Sequence, residues 1–189
     1  MTAYDALVLA GGAARRLGGV DKPGLAVGGR TLLDRVLAAC PDARTAVVVG
    51  PGRPTERRDL LWTREDPPGG GPVAAVAAGL ALITADRVLL LAADLPFLDG
   101  RTVGRLVDAL AEEYDGALLV DADGRDQPLA GAYRTAALRA ALAGLGEPAG
   151  LPIRRLLAPL RLGRLADPDG VSCDCDTWED LEAARRRDL

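Results

Sequence analysis

The residues best suited to chemistry in this 189-residue chain lie in one stretch, LAGGAARRLGGVDK, from Leu9 to Lys22. It follows the apolar run Ala6–Leu9, so a buried strand empties directly into a glycine-rich turn. The turn offers Gly11, Gly12, Gly18 and Gly19, then Arg15, Arg16, Asp21 and Lys22. Glycines let backbone N–H groups close around an anion, and cationic side chains neutralise it. The expected occupant is a phosphate-bearing ligand. Lys22 is the only lysine among 23 basic residues, and an ammonium acts as a point charge where a guanidinium acts as a planar fork. A P-loop would need Gly-Lys-Ser/Thr, and a dinucleotide fingerprint would need G-x-G-x-x-G. Lys22 sits instead between Asp21 and Pro23. The plainer reading, an ordinary connection, explains the glycines but not their combination with Arg16, Asp21 and Lys22.

Four further segments carry polar groups of interest. AADLPFL (92–98) puts Asp94 at the end of the most apolar run of the chain. A carboxylate there either caps the following turn or binds Mg²⁺ together with substrate phosphates. EDPPGGGPVAAVAAGL (65–80) reads as a loop followed by a small-residue helix packed closely on a sheet, and such a helix start also receives anions. CDCDTWEDLEAA (173–184) holds Asp174 and Asp176 just before a capping-box-like start at Thr177 and Asp180. QPLAGAYR (127–134) reads as a strand whose ends carry Gln127 and Tyr133.

The elements that must position these groups follow from the pattern. Strands are expected at Ala6–Leu9, Ala46–Val49, Leu60–Thr63, Val88–Ala92, Gly116–Val120, Leu129–Tyr133 and Leu160–Leu165. Helices are expected at Thr31–Cys40, Val73–Ile83, Thr102–Glu113, Arg134–Ala143, Ile153–Leu157 and Thr177–Arg187. Strands alternating with helices imply a three-layer α/β/α fold with a mostly parallel sheet. Ligands of such sheets sit beyond the carboxyl ends of the strands, where the 9–22, 50–53, 66–72 and 94–97 loops all emerge. A length of 189 residues suits one domain, 1–189. Apolar content of 49% with a net charge of −4 argues against a disordered chain and against a nucleic-acid partner. No apolar run approaches a membrane span, and the N-terminus lacks a basic region before its apolar stretch, so neither a membrane partner nor a signal peptide is expected. Cys40, Cys173 and Cys175 are expected as buried or free thiols in a reducing cytoplasm.

L-A-G-G-x-x-x-R-x-G with a downstream Asp-Lys resembles the signature of sugar- and cofactor-nucleotidyltransferases. RRLGGVDK is especially similar to the molybdenum cofactor guanylyltransferases, and the likeness extends over nearly the whole chain. It implies a Rossmann-like nucleotidyltransferase fold. It assigns the triphosphate to Arg16 and Lys22, Mg²⁺ to Asp94, and the nucleotide site to Leu9, Ala10, Gly11, Gly12, Gly50 and Asp66. The first three of these would act largely through their backbone. Gly50 stands where the family has Asn in a V-N-A-N-R-like stretch, so a side-chain contact is lost, and Gly50→Asn is expected to tighten GTP binding if the backbone at Gly50 has angles that Asn tolerates. Asp174 and Asp176 replace the asparagines of the family's N-x-N-T-P-E-D-L motif. They are assigned to capping, to the metal or to the acceptor, and Gln127 and Tyr133 to the acceptor pocket or to ordinary strand ends.

The implied function is a Mg²⁺-dependent, cytoplasmic guanylyltransferase that transfers GMP from GTP to molybdopterin and releases pyrophosphate, with molybdoenzymes receiving the product. Related alternatives are a cytidylyltransferase acting on a molybdopterin-type or other phosphorylated acceptor, and a non-catalytic nucleotide-binding accessory protein. The chain has no histidine. That fits a phosphate monoester nucleophile, which is already ionised at neutral pH and needs no general base.

Overall fold

The computed structural model describes residues 3–12 and 17–188. In chain order the elements are β1 (Asp5–Leu9), β2 (Ala26–Val27), β3 (Arg30–Thr31), α1 (Leu32–Ala38), β4 (Ala46–Val49), β5 (Leu60–Thr63) and α2 (Gly71–Leu80). Then follow β6 (Arg87–Ala92), α3 (Gly100–Asp108), β7 (Gly116–Val120), β8 (Asp126–Arg134), α4 (Thr135–Ala143), α5 (Ile153–Leu157), β9 (Leu162–Ala166) and α6 (Trp178–Arg187). Seven strands form one sheet in the order β5-β4-β1-β6-β8-β7-β9, and only β8 runs antiparallel to its neighbours. This is the expected mostly parallel α/β/α arrangement.

The period-2 alternation of the central strands divides the core into two layers. Leu7, Val47, Val49, Val88 and Leu90 pack against Val73 and Val76 of α2, Leu138 of α4 and Leu156 of α5. Ala6, Val8, Val48, Leu89 and Leu91 pack against Leu33 and Val36 of α1 and Leu106 of α3. Both faces are covered, which is why β6 reads as an unbroken apolar run. Truncating one such side chain to alanine costs roughly 2–5 kcal/mol. At the amino end of the sheet the buried Asp5 carboxylate accepts hydrogen bonds from the N–H groups of Thr45, Thr84 and Ala85, tying three connections together.

Most other bounds shift by one to three residues, as in α2 and β9, and three departures from the sequence pattern are larger. β8 begins at Asp126 and runs through Pro128; the β7–β8 register shifts between Leu118 and Leu119, leaving Pro128 at an irregularity where its missing N–H does no harm. α3 starts earlier, because Asp99 caps it by accepting from the Thr102 N–H at 2.8 Å, and stops at Asp108. The short β2–β3 hairpin is an addition to the expected elements. Its turn is Gly28-Gly29, both at positive φ, and that dipeptide was the available signal.

β1 connects leftward to β4 while β6 connects rightward towards β7, so the order of the sheet reverses between β1 and β6. A crevice opens at such a switch point.

Candidate active site

Lys22 and Asp94 meet at that switch point. Lys22 opens a single 3-10 turn, Lys22–Gly24, closed by the Gly24 N–H to Asp21 and the Leu25 N–H to Lys22. Asp94 follows β6 between two anchored neighbours. The Ala93 N–H donates to the Leu9 carbonyl at 3.0 Å, and the Leu95 side chain is buried. The Lys22 ammonium forms ion pairs with Asp94 and with Asp176, the latter at 2.6 Å. Both Lys22 and Asp94 are mostly enclosed, their side chains 14% and 17% exposed.

Asp176 and Asp174 arrive from the far end of the chain. Beyond β9, the buried Asp167 carboxylate accepts from the Val171 and Ser172 N–H groups and the Ser172 hydroxyl, folding a tight turn. Cys175 then enters a small core with Val27, Leu32 and Leu181, while its neighbours Asp174 and Asp176 remain outside the core. Thr177 and Asp180 form the capping box that starts α6. The structure therefore brings one carboxylate oxygen from each of Asp94, Asp174 and Asp176 within 4.8 Å of one another.

Two carboxylate charges about 5 Å apart repel by roughly 3 kcal/mol at an effective dielectric of ~20. Two groups at this point, Asp174 and Lys22, are perturbed accordingly. Burial, then the charges of Asp176 and Asp94, push the Asp174 carboxyl up. Burial alone would lower Lys22, but the Asp94 charge and the hydrogen bonds to Asp176 and Asp94 outweigh it, so the ammonium is held above its ordinary range. Three hard oxygen donors with surplus negative charge form a set suited to Mg²⁺ rather than to a soft metal.

The remaining expectations fall on several surfaces. Arg16 lies outside the described residues. Gly11 and Gly12 are exposed on the rim. Ala10 is spent internally, its N–H bonded to the Val49 carbonyl and its carbonyl to Arg53. The Leu9 carbonyl already takes the Ala93 N–H. Asp66 is exposed on the loop leaving β5, where the Glu65 carboxylate accepts the Gly69 N–H. Gly50 has φ of 152°, and a β-carbon there would lie 2.7 Å from the Ala10 carbonyl oxygen. The expected Gly50→Asn repair is thereby corrected, because the site of closest approach between the two strand exits has no room for a side chain. Gln127 donates to Asp121 at 2.8 Å beside the β7–β8 turn. Tyr133 is corrected as well. It is fully buried, its hydroxyl donates to the Pro128 carbonyl, and it pairs with Val88 and Gly116 at the opposite end of the sheet from Asp94. Burial drives its hydroxyl far above the ordinary tyrosine range.

One residue gained importance. Arg53, only 10% exposed, pairs with Asp21 at 2.8 Å and reaches the Ala10 carbonyl. It links Ala10 to Asp21, and Asp21 is engaged by it rather than offered to a ligand. The arginine closing the VVVGPGR segment was the sequence signal for this link. Cys40, Cys173 and Cys175 are free thiols, with burial pushing Cys40 to about 12 and Cys175 to about 11. Among the described residues no helix is long and apolar enough to cross a membrane.

The fold has known counterparts. The fold resembles that of molybdopterin-guanine dinucleotide biosynthesis protein A from Archaeoglobus fulgidus, with a TM-score of 0.74 at 21% identity over 97% of both chains. It equally resembles 2-C-methyl-D-erythritol 4-phosphate cytidylyltransferase from Thermus thermophilus, with a TM-score of 0.76 at 23% identity over 100% of this chain and 99% of that one. In sequence, the molybdenum cofactor guanylyltransferase of Nitrobacter hamburgensis is 30% identical over 192 residues, covering 95% of this chain and 92% of its own. That of Bradyrhizobium sp. (strain ORS 278) is 37% identical over 141 residues, and the chain spans 66% of its length. The model of the MobA-like NTP transferase domain matches residues 6–165, a span that holds Lys22, Asp94 and all of the sheet but its first and last residues. The chain belongs to the MobA-like NTP transferase domain family.

Proposed function

We propose that residues 1–189 act as one nucleotidyltransferase domain that transfers GMP from GTP to the terminal phosphate of molybdopterin, releasing pyrophosphate. The observation that carries this reading is the enclosed Lys22–Asp94 pair at the switch point, with Asp174 and Asp176 drawn to it. The names of the similar proteins supply the guanine nucleotide and the pterin acceptor.

The acceptor phosphate monoester is ionised at neutral pH, so an oxygen lone pair can attack the α-phosphorus directly while the bond to the β-phosphate oxygen breaks. The chain then has to align the two phosphates and neutralise charge that builds on the leaving pyrophosphate. Lys22 supplies a positive charge at this point, and Arg16 on the same loop is assigned to the triphosphate. The exposed Gly11 and Gly12 present backbone to the phosphates, and Arg53 ties Ala10 to Asp21 on either side of them. Asp94, Asp174 and Asp176 would hold Mg²⁺, which neutralises triphosphate charge and polarises the phosphoryl group when bound. Gln127 and the Asp66 loop border the acceptor and base sides. A reducing cytoplasm suits the three free thiols, and molybdoenzymes are the expected recipients of the product.

Pyrophosphate release measured with each of the four nucleoside triphosphates, with and without molybdopterin, tests the reading. Release with GTP that requires molybdopterin supports it. Preference for CTP transfers the assignment to the cytidylyltransferase alternative, and no release with any nucleotide in the presence of Mg²⁺ leaves the accessory-protein alternative.

A further inference from the structure

The carboxylate cluster joins distant parts of the chain, and its members repel. Asp94 sits on the β6–α3 loop, whereas Asp174 and Asp176 lie on an irregular segment outside the 6–165 family match. Something must fix the second segment against the first. We infer that Arg35 of α1 is the positioning residue that holds these two segments in register, an inference that rests on reading the cluster as a divalent-cation site.

Each nitrogen of the Arg35 guanidinium is committed. Its Nε donates to the Pro96 carbonyl at 2.7 Å, two residues beyond Asp94. Nη1 donates to the Val27 carbonyl of β2 at 3.0 Å and to Asp188 at 3.1 Å, and Nη2 completes the bidentate contact with Asp188. Asp188 follows α6, the helix that begins directly after the Asp176-Thr177 step. One planar fork therefore touches the Asp94 loop, the hairpin and the far end of the helix that starts just after Asp176. A guanidinium can make this set of contacts and an ammonium cannot.

Two independent features serve the same junction. The Arg187 guanidinium lies 3.8 Å over the Phe97 ring, joining α6 to the Asp94 loop a second time. Gly28, at φ of 57° in the hairpin turn, lies where a β-carbon would overlap the Asp188 carboxylate, so the hairpin leaves space for that carboxylate to reach Arg35. Arg35 is itself 19% exposed, and its hydrogen bonds go to Pro96, Val27 and Asp188. Its effect on the carboxylate cluster is transmitted through Pro96 and α6. Coordination by three carboxylates tolerates displacements of only about half an ångström, so loosening this junction degrades the site before it unfolds the domain.

The test is the Mn²⁺ affinity of the nucleotide-free, full-length protein, followed by electron paramagnetic resonance, with thermal unfolding in chelator as the structural control. Arg35→Lys keeps a cation opposite Asp188 but loses the donor to Pro96. It is expected to bind Mn²⁺ about tenfold more weakly, the scale found when groups that orient metal ligands are removed, while its melting temperature stays close to the parent's. Asp188→Asn should show a smaller loss in the same direction. A folded Arg35→Lys protein with parent Mn²⁺ affinity overturns the inference. Should Arg35→Lys fail to fold, Asp188→Asn decides on the same criterion. A parent protein that binds no Mn²⁺ overturns the reading of the cluster itself and the role of Arg35 with it.

Discussion

Replacing Lys22 with methionine should move two measurable quantities in opposite directions. Methionine keeps the unbranched stem and removes the one ammonium that pairs with Asp94 and Asp176. Without nucleotide, Lys22 competes with a divalent cation for those carboxylates. A unit charge about 5 Å from a divalent cation raises its energy by about 1.7 kcal/mol in bulk water and by about 6.6 kcal/mol at an effective dielectric of ~20. Even the lower figure corresponds to more than a tenfold change in affinity. Lys22→Met should therefore bind Mn²⁺ at least about tenfold more tightly than the parent in the absence of nucleotide. Turnover should nevertheless fall by about a hundredfold or more, because a charge contact strengthened in the transition state is gone. Lys22→Arg should restore only part of the rate, since a planar fork replaces a point charge poorly. Isothermal titration with MnCl₂ and a continuous pyrophosphate assay read the two effects separately. Unchanged or weaker Mn²⁺ binding would refute the competition argument, and parental turnover would remove Lys22 from the phosphate site.

Three shorter expectations accompany it. Asp94→Asn should fold normally but lose about a hundredfold in turnover, partly recovered at high Mg²⁺, through loss of metal-assisted charge stabilisation; a parental rate would shift the metal to Asp174 and Asp176. Hydrogen bonding from Thr177 holds the Asp180 carboxyl below its usual range, so its contribution is present above the ordinary carboxylate pKa and lost as pH falls through the lowered value. Asp180→Ala should cost about 1 kcal/mol at neutral pH, lowering the melting temperature by roughly 2–4 °C, with the gap from the parent closing in acid; a gap that stays constant as the pH falls well below the ordinary carboxylate range would contradict the assignment. Gly50→Asn should destabilise the fold and weaken GTP binding, because its β-carbon meets the Ala10 carbonyl; tighter GTP binding in a competition assay would show that the strand exits can separate.

The parts of this molecule that were legible in the sequence are those decided locally. β4, β5, β7 and α5 have the expected bounds, because each is an apolar run closed by a strong breaker or a clear turn. Lys22 and Asp94 were legible from residue type and from their place after apolar strands. What the sequence hid depends on contacts between distant segments. CDCDTWEDL leaves capping, the metal and the acceptor all open for Asp174 and Asp176, and only the folded chain brings the two to Asp94 beside the capping box at Thr177. Gly50 read as a lost asparagine, whereas its identity follows from the approach of Ala10. Tyr133 read as a polar strand end, yet the carbonyl that satisfies its hydroxyl belongs to Pro128, within the same irregular strand. Arg35 carries no mark in the sequence that sets it apart, since its role comes from the three partners the fold assembles around it.

The bond from Lys22 to Asp176 spans 154 residues. Closing a flexible loop of that length carries an entropy penalty of about 4–5 kcal/mol, more than one solvated ion pair returns. An unfolded or half-folded chain therefore gains almost nothing by gathering residues 22, 94 and 176, and the cluster exists only once the sheet and α6 have already brought them together. A divalent cation bound there acts as a reversible staple that recognises the native state alone, raising stability in proportion to the logarithm of its concentration. Metal-dependent protection from unfolding would consequently appear as one cooperative transition, with hydrogen exchange slowed together at the β1 exit, the β6 exit and the first turn of α6.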